Sequence, residues 1–154
     1  MLRILPITCE NIVVIIIMNR GIYLHATSKD SAVYFPDNEV NSFRLKLNTP
    51  LNLTGLWKIG LCQLMLKGIL SETVCVACNI CQGFICDGTQ TRIIRILRVD
   101  GNENFDESYP VIFYVPIEVR FIDTIEFRLI KKDGTPVVFK SEDSSGIRNW
   151  CCRV

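Results

Sequence analysis

The stretch Ser42-Phe43-Arg44-Leu45-Lys46-Leu47 indicates the fold class of this chain, because apolar and polar side chains alternate along it without a break. In an extended chain Phe43, Leu45 and Leu47 lie on one face, and the two basic residues between them lie on the other. The same alternation returns at residues 57–61 and 123–130. A period of two residues is typical of a β-strand with one buried face and one solvated face.

Further short segments of this kind follow along the chain, and turn residues such as Pro36-Asp37-Asn38 and Asp133-Gly134 separate them. The strands that we predict are residues 22–26, 32–35, 43–47, 57–61, 73–80, 92–99, 111–119, 123–130 and 136–139. A polar loop is expected to end near Ser108, and no long helical pattern occurs. The sequence therefore predicts an all-β protein, a single-domain antiparallel β-sandwich with a jelly-roll-like strand order.

The first 20 residues do not follow this pattern. Residues 12–18 are apolar, but seven residues are far fewer than the ~20 that a membrane-spanning helix needs. Asn19-Arg20 is a poor cleavage site for a signal peptide. We interpret residues 1–20 as an N-terminal extension, either an extra strand or a segment upstream of a start at Met18, and residues 21–154 as the sandwich domain.

The bulk composition limits the classes of partner. A formal net charge of +1 argues against a dedicated nucleic-acid-binding protein, which carries a clear basic excess. A hydrophobic content of 49% is high for a soluble monomer of 154 residues. Such a chain has a generous core or apolar surface that a partner covers. We expect no specific nucleic-acid partner and no membrane span.

Cys75, Cys78, Cys81 and Cys86 are the strongest candidates for a metal or redox site. Their spacing comes close to that of a bacterial iron–sulfur run, but the last gap is one residue longer and Asp87 replaces the proline. If residues 73–80 are extended, Cys75 and Cys81 lie about 20 Å apart on one face and Cys78 points to the other. A zinc site needs all its sulfurs ~2.3 Å from one point. We therefore predict reduced, buried thiols without metal or cofactor, and keep a cysteine-cluster domain as the alternative.

Other side chains give no pattern of an enzyme. His25 is the only histidine, so any serine or cysteine nucleophile with a histidine base would depend on it, and no nucleophile-elbow motif surrounds it. Arg92, Arg95 and Arg98 would form a basic stripe on a helix, but on a strand Arg95 faces away from the other two. The sequence predicts no catalytic residues, and we expect a protein that is not an enzyme.

Three blocks of this chain, in the right order, resemble a family of small virion proteins. The family is encoded by Maverick/Polinton elements and related adintovirus-like DNA viruses. The matching residues are Tyr34-Phe35-Pro36-Asp37-Asn38 with Phe43 to Leu47 and Leu51 to Leu61; Cys75 to Cys81 with Arg92 to Val99; and Tyr114-Val115-Pro116-Ile117, Phe121 to Phe127 and Asp133 to Phe139. The C-terminal residues 147–154 depart from the strand with which the family usually ends.

The resemblance implies a non-enzymatic role in the virion, as a jelly-roll minor capsid subunit of penton type. Its partners would be other copies of the chain, such as a pentamer, and other capsid proteins. Its location would be the virion and, inside the host cell, the cytoplasm or nucleus. A secreted carbohydrate- or receptor-binding sandwich is a further alternative, and it depends on whether residues 1–20 are cleaved.

Overall fold

Antiparallel sheets account for all the regular structure in the computed structural model, which describes residues 12–18, 22–29, 31–86, 88–100 and 104–140. These ranges contain no helix, so the predicted all-β fold is confirmed. The strands are β1 (Ile12–Met18), β2 (Ile22–Thr27), β3 (Ser42–Asn52), β4 (Lys58–Lys67), β5 (Thr73–Cys78), β6 (Phe84–Cys86), β7 (Thr89–Thr91), β8 (Ile93–Arg98), β9 (Asn104–Ser108), β10 (Val115–Pro116) and β11 (Phe121–Ile130).

One sheet, called sheet A, has five strands arranged around β4. Strand β1 pairs with one side of β4 and β2 pairs with the outer side of β1, whereas β9 and β10 both pair with β4. Gly60 allows the chain after β9 to approach β4 closely, because a Cβ atom at this position would lie 2.5 Å from Cγ2 of Ile112. The loop that joins β9 to β10 is thereby seated against sheet A.

The second sheet, sheet B, has the strand order β3-β11-β5-β8. Its register places Phe127 opposite both Phe43 of β3 and Cys78 of β5. Strands β6 and β7 form a separate two-stranded hairpin. The turn between them includes Gly88 at a φ of 76°, a left-handed conformation that glycine adopts without strain.

The hydrophobic core lies between the two sheets, as a sandwich requires. The rings of Phe43 and Phe127 are both inaccessible, and their centroids are 5.5 Å apart. Each large apolar side chain that is removed from water contributes about 1.5–3 kcal/mol. The other large, fully buried members come from both sheets or the segment after β4: Ile59, Leu61, Leu64, Leu66, Ile69, Ile122, Ile125 and Leu129.

The apolar segment near the N-terminus is a strand within sheet A. Ile12–Met18 pairs with β2 along one side and with β4 along the other. The sandwich therefore includes residues upstream of position 21, where our sequence-based boundary placed its start. A β-bulge between Val14 and Ile15 shifts the register against β4.

Four predicted segments differ from the structure. Residues 32–35 are turns instead of a strand, because the Ser31 carbonyl accepts hydrogen bonds from the backbone N–H groups of Tyr34 (3.0 Å) and Phe35 (2.8 Å). Asn104–Ser108, expected in a polar loop, is a strand that buries Phe105 and pairs with β4. Only Val115–Pro116 of residues 111–119 is a strand, and residues 136–139 make isolated bridges. Residues 147–154, whose sequence differs from the usual last strand of the virion-protein family that the chain resembles, lie outside the described residues.

Candidate functional site

The four candidate cysteines lie in different parts of the structure. Strand β5 points Cys78 into the core and Cys75 to the opposite face. The strand ends at Cys78, two residues earlier than the extension that we predicted, and a turn at residues 79–80 reverses the chain. Cys81 therefore joins Cys78 in the core, where its thiol donates a 3.2 Å hydrogen bond to the Cys78 carbonyl.

Burial keeps these core thiols protonated. Removal from water is the main cause that raises the pKa of Cys78, and it raises the pKa of Cys81 to about 11 although the Arg92 cation opposes the change. The thiolate is the form that attacks electrophiles and binds metals. At neutral pH Cys78 and Cys81 are consequently poor nucleophiles and poor ligands.

The remaining two cysteines do not complete a metal site. Cys75 is buried, and burial raises the pKa of its thiol although the Lys132 cation opposes the change, whereas Cys86 on β6 is exposed. Within the ranges that the structure describes, no group of three or more histidine, cysteine, aspartate or glutamate side chains could hold a metal ion.

The arginines that could have formed a basic stripe each contact a separate group. Arg92 forms a 2.9 Å ion pair with Glu118, and Arg98 forms a 2.6 Å ion pair with Asp100. The guanidinium of Arg95 lies 3.7 Å from the centre of the Tyr109 ring. Strand geometry thus disperses the three cations, as the alternation of a strand predicts.

The Arg95 side chain connects the two sheets. Its guanidinium also lies 5.0 Å from the Phe113 ring and donates a 3.4 Å hydrogen bond to the Val111 carbonyl. Because Arg95 belongs to β8 in sheet B and Tyr109 directly follows β9 in sheet A, this contact joins the two layers. The Tyr109 hydroxyl is buried, and burial raises its pKa, as does the nearby Glu107 carboxylate.

Two groups of exposed apolar side chains lie near contacts described above or below. The first, which we call the end patch, consists of Leu56, Val119 and Phe121, and Leu56 is 91% exposed. The loop before β4 and the start of β11 are neighbours there, because the Leu53 N–H donates a 2.7 Å hydrogen bond to the Arg120 carbonyl.

The second group, the side patch, consists of Val111 and Phe113. Both contact Arg95, which donates a hydrogen bond to the Val111 carbonyl and lies over the Phe113 ring. Ile96 is also half-exposed, but it points to the face of β8 opposite to Arg95. Sequence reasoning missed this patch, since Val111 and Phe113 were assigned to a predicted strand. Proline at position 110 was the available signal against a regular strand there.

Three surface clefts lie among the described residues. The widest, of about 580 Å³, is lined by the opposite charges of Glu72, Asp133, Lys131 and Lys132. His25 is exposed and shares a cleft of about 360 Å³ with Ser31, whose hydroxyl oxygen already accepts a 2.8 Å hydrogen bond from the Lys46 N–H. The third cleft, of about 320 Å³, lies beside Pro136.

The outer edge of β3 is covered by the preceding loop. The Asn38 side chain accepts a 2.8 Å hydrogen bond from the Arg44 N–H and donates a 2.9 Å hydrogen bond to the Arg44 carbonyl. Ser31 accepts from the next outward N–H, that of Lys46. Side chains therefore occupy the positions where another strand would bind.

Comparisons with protein-family models, curated proteins and solved structures found no match to this chain. None of the described segments is a helix long and apolar enough to cross a membrane.

Proposed function

We propose that the protein is a non-enzymatic structural subunit of a virion, a minor capsid component of penton type from a Maverick/Polinton-like DNA virus or its integrated copy. Support comes from the three sequence blocks together with an antiparallel sandwich of matching class. A jelly-roll order of its strands is part of this proposal. The subunit would act with other copies of itself and with other capsid proteins, in the virion and, before assembly, in the host cytoplasm or nucleus.

The observation that carries the proposal is the exposed end patch on a sandwich whose core is already filled. Leu56 and Phe121 are 91% and 64% exposed. Covering apolar surface contributes about 25 cal/mol for each Å² removed from water. Contact between subunits would bury this surface, which supports a protein whose working residues are interface residues.

The test is the mass of the purified protein in solution, measured by size-exclusion chromatography with light scattering. Five copies of the 17.6 kDa chain are expected for a penton-type ring. Replacing Leu56 and Phe121 together by serine should reduce the assembly to smaller species, whereas Val33→Ser, at a site 94% exposed and outside the patch, should leave the mass unchanged. A strictly monomeric wild-type protein at high concentration would contradict the proposal.

A second test concerns the genome. Genes for a major capsid protein, a packaging ATPase and a protein-primed polymerase are expected beside the gene for this chain. Their absence from an intact locus would argue against the viral assignment even if the protein assembled.

A further inference from the structure

Cys78 and Cys81 are separated by two residues and lie in the same part of the core. Both are free thiols, with exposed fractions of 2% and 0%. A turn at residues 79–80 reverses the chain between them, and the two residues that flank such a turn have Cα atoms less than ~7 Å apart. A disulfide bond spans Cα separations of ~4.4–6.8 Å. The turn therefore brings the two residues into the range that a disulfide bond requires.

The chain contains the same spacing without the turn. Cys75 and Cys78 are also two residues apart, but both belong to the extended strand β5, where Cys78 is part of the core and Cys75 lies on the opposite face. Two side chains on opposite faces of a strand cannot form a disulfide bond, because their Cβ atoms point apart. The turn, and not the spacing, distinguishes the pair of Cys78 and Cys81.

The thiol of Cys81 is directed at the backbone of Cys78. Its hydrogen bond to the Cys78 carbonyl is 3.2 Å long, and both side chains are buried. A reacting group that is held beside its partner reacts far faster than one that must diffuse to it. Cys78 is therefore the favoured partner for any bond that the Cys81 sulfur forms within the chain.

Hydrogen bonds hold the turn in this conformation without a disulfide. The backbone N–H of Asn79 donates a 3.1 Å bond to the Glu126 carbonyl, and the Asn79 side-chain oxygen accepts a 2.9 Å bond from the Glu126 N–H. The Ile80 carbonyl accepts a 3.0 Å bond from the Glu118 N–H. Glu126 belongs to β11 of sheet B and Glu118 follows β10 of sheet A, so the turn connects the two sheets. Because the turn is already ordered, closing a disulfide costs little further conformational entropy.

The charges around the pair make Cys81 the more acidic of the two thiols. Burial is the main cause that raises both pKa values. The Arg92 cation, whose guanidinium donates a 3.3 Å hydrogen bond to the Cys81 carbonyl, lowers the pKa of Cys81, and the Glu118 carboxylate raises it by a smaller effect. The Glu126 carboxylate raises the pKa of Cys78 further. Since the thiolate is the attacking form, Cys81 is the sulfur that reacts first.

We propose that Cys78 and Cys81 are a redox-sensitive pair, which forms a disulfide bond when a small disulfide such as oxidised glutathione is in excess. When the turn opens locally, the thiolate of Cys81 attacks one sulfur of the oxidant, which forms a mixed disulfide and releases the other half as a thiolate. The thiolate of Cys78, whose proton has passed to solvent, then attacks the Cys81 sulfur and displaces the second half. Two protein thiols are oxidised to one disulfide, and the oxidant is reduced to two thiols.

Oxidation closes a covalent loop across the turn that connects the two sheets. A cross-link restricts the unfolded chain, so the oxidised protein resists unfolding more than the reduced protein does. The inference does not depend on the proposed viral function, because the pair lies inside one chain and assembly is assigned to the end patch. A pentamer whose core thiols never pair would support the function and overturn the inference, whereas a monomer whose core thiols pair would do the reverse.

The experiment compares two variants of the full chain in a Cys86→Ser background, which removes an exposed thiol. Cys75→Ser leaves the pair of Cys78 and Cys81, and Cys81→Ser leaves the equally spaced Cys75 and Cys78 as the matched control. Each folded protein is incubated with excess oxidised glutathione, denatured, alkylated and digested with trypsin, which releases residues 68–92 as one peptide. The Cys75→Ser peptide should lack both thiol hydrogens and carry no alkyl group, whereas the control peptide should carry alkyl or glutathione groups on both cysteines. Equal pairing in the two variants, or no pairing in Cys75→Ser, would overturn the proposal.

A second measurement follows the rate of pairing in the Cys75→Ser protein between pH ~6 and ~8. The rate should increase about tenfold per pH unit, because the thiolate fraction does so below the pKa of ~8.5 of a solvated cysteine. The oxidised protein should unfold at a higher urea concentration than the reduced protein, and dithiothreitol should reverse the difference. A rate that does not change with pH, or equal urea midpoints, would overturn the proposal. If a variant fails to fold, tandem mass spectrometry of the wild-type peptide decides, since a bond between any other two cysteines would contradict the pairing of Cys78 and Cys81.

Discussion

Replacing Asn38 by alanine tests how much the side-chain hydrogen bonds along the outer edge of β3 contribute to the stability of the fold. The substitution removes both hydrogen bonds to Arg44, at 2.8 and 2.9 Å, and leaves the Arg44 N–H and C=O groups without a protein partner. A hydrogen bond contributes about 0.5–1.5 kcal/mol net, so the loss should be about 1–3 kcal/mol. Because the site is only half-buried, water can replace part of the lost bonding, and the lower half of this range is expected.

The measurement is urea unfolding followed by circular dichroism. With a slope of ~2 kcal/mol per molar urea, a loss of about 1–2 kcal/mol should lower the midpoint by roughly 0.5–1 M without a change in slope. Asn38→Asp keeps an acceptor for the Arg44 N–H but loses the donor to the carbonyl, so it should cost about half as much. Asn48→Ala is the control, since Asn48 is an exposed residue of β3, and its substitution should change the free energy of unfolding by no more than ~0.5 kcal/mol. Equal midpoints for Asn38→Ala and Asn48→Ala would refute the reasoning.

Three further predictions concern the core, a surface ion pair and the thiols. Phe127→Ala should destabilise the fold by about 3–5 kcal/mol in urea unfolding, because the fully buried ring packs on its neighbours from both flanking strands; a loss below ~1 kcal/mol would contradict this packing. The 2.7 Å hydrogen bond from Lys46 lowers the pKa of Asp123, so this ion pair stabilises the fold above pH ~4, and the stabilisation is lost as the pH falls through the lowered pKa. In an NMR titration, Lys46→Met should raise the pKa of Asp123. An unchanged pKa would exclude the ion pair as the cause. Iodoacetamide at pH 8 should modify the exposed Cys86 before Cys81, whose pKa is about 11, and peptide mass spectrometry can compare the two rates; equal rates would contradict the burial of Cys81. Because the pKa of Cys81 is higher in the folded protein than the ~8.5 of an unfolded cysteine, the stability of the fold should also decrease as the pH rises from ~8.5 toward 11.

Alternation of side chains predicted the strands that border the core on one face. Residues 43–47 and 123–130 lie within β3 and β11, where Leu45 and Ile125 are buried and face each other in register. The pattern is visible because these strands have one wet face. The antiparallel all-β class is confirmed for the same reason, whereas a jelly-roll order remains a prediction.

Tertiary contacts decided the segments that were predicted wrongly. Asn104–Ser108 is a polar sequence, yet it forms a strand because the edge of β4 supplies its backbone partners and Phe105 reaches the core. The apolar sequence around Tyr34 forms turns because Ser31 provides a local acceptor. Neither outcome can be calculated from the local pattern alone.

The candidate site was less predictable than the fold. The sequence spacing predicted that Cys75 and Cys78 lie on opposite faces of β5, but it did not predict the turn that brings Cys81 close to Cys78. Asn38 and Ser31 cover the outer edge of β3 through hydrogen bonds from their side chains to its backbone, and β3 follows both residues in the chain. Their turn-forming residue types were the only sequence signal, and that signal does not specify which edge they cover.

The position of β1 has a consequence for synthesis of the protein on the ribosome. Ile12–Met18 is translated before β2 and can form a hairpin with it, but the partner of its other side, β4, is translated later. During this interval a run rich in isoleucine and valine has one unpaired backbone edge, and such a segment favours aggregation. The nascent chain is therefore expected to need a holding chaperone early, and slow codons placed before β4 should lower the yield of soluble protein.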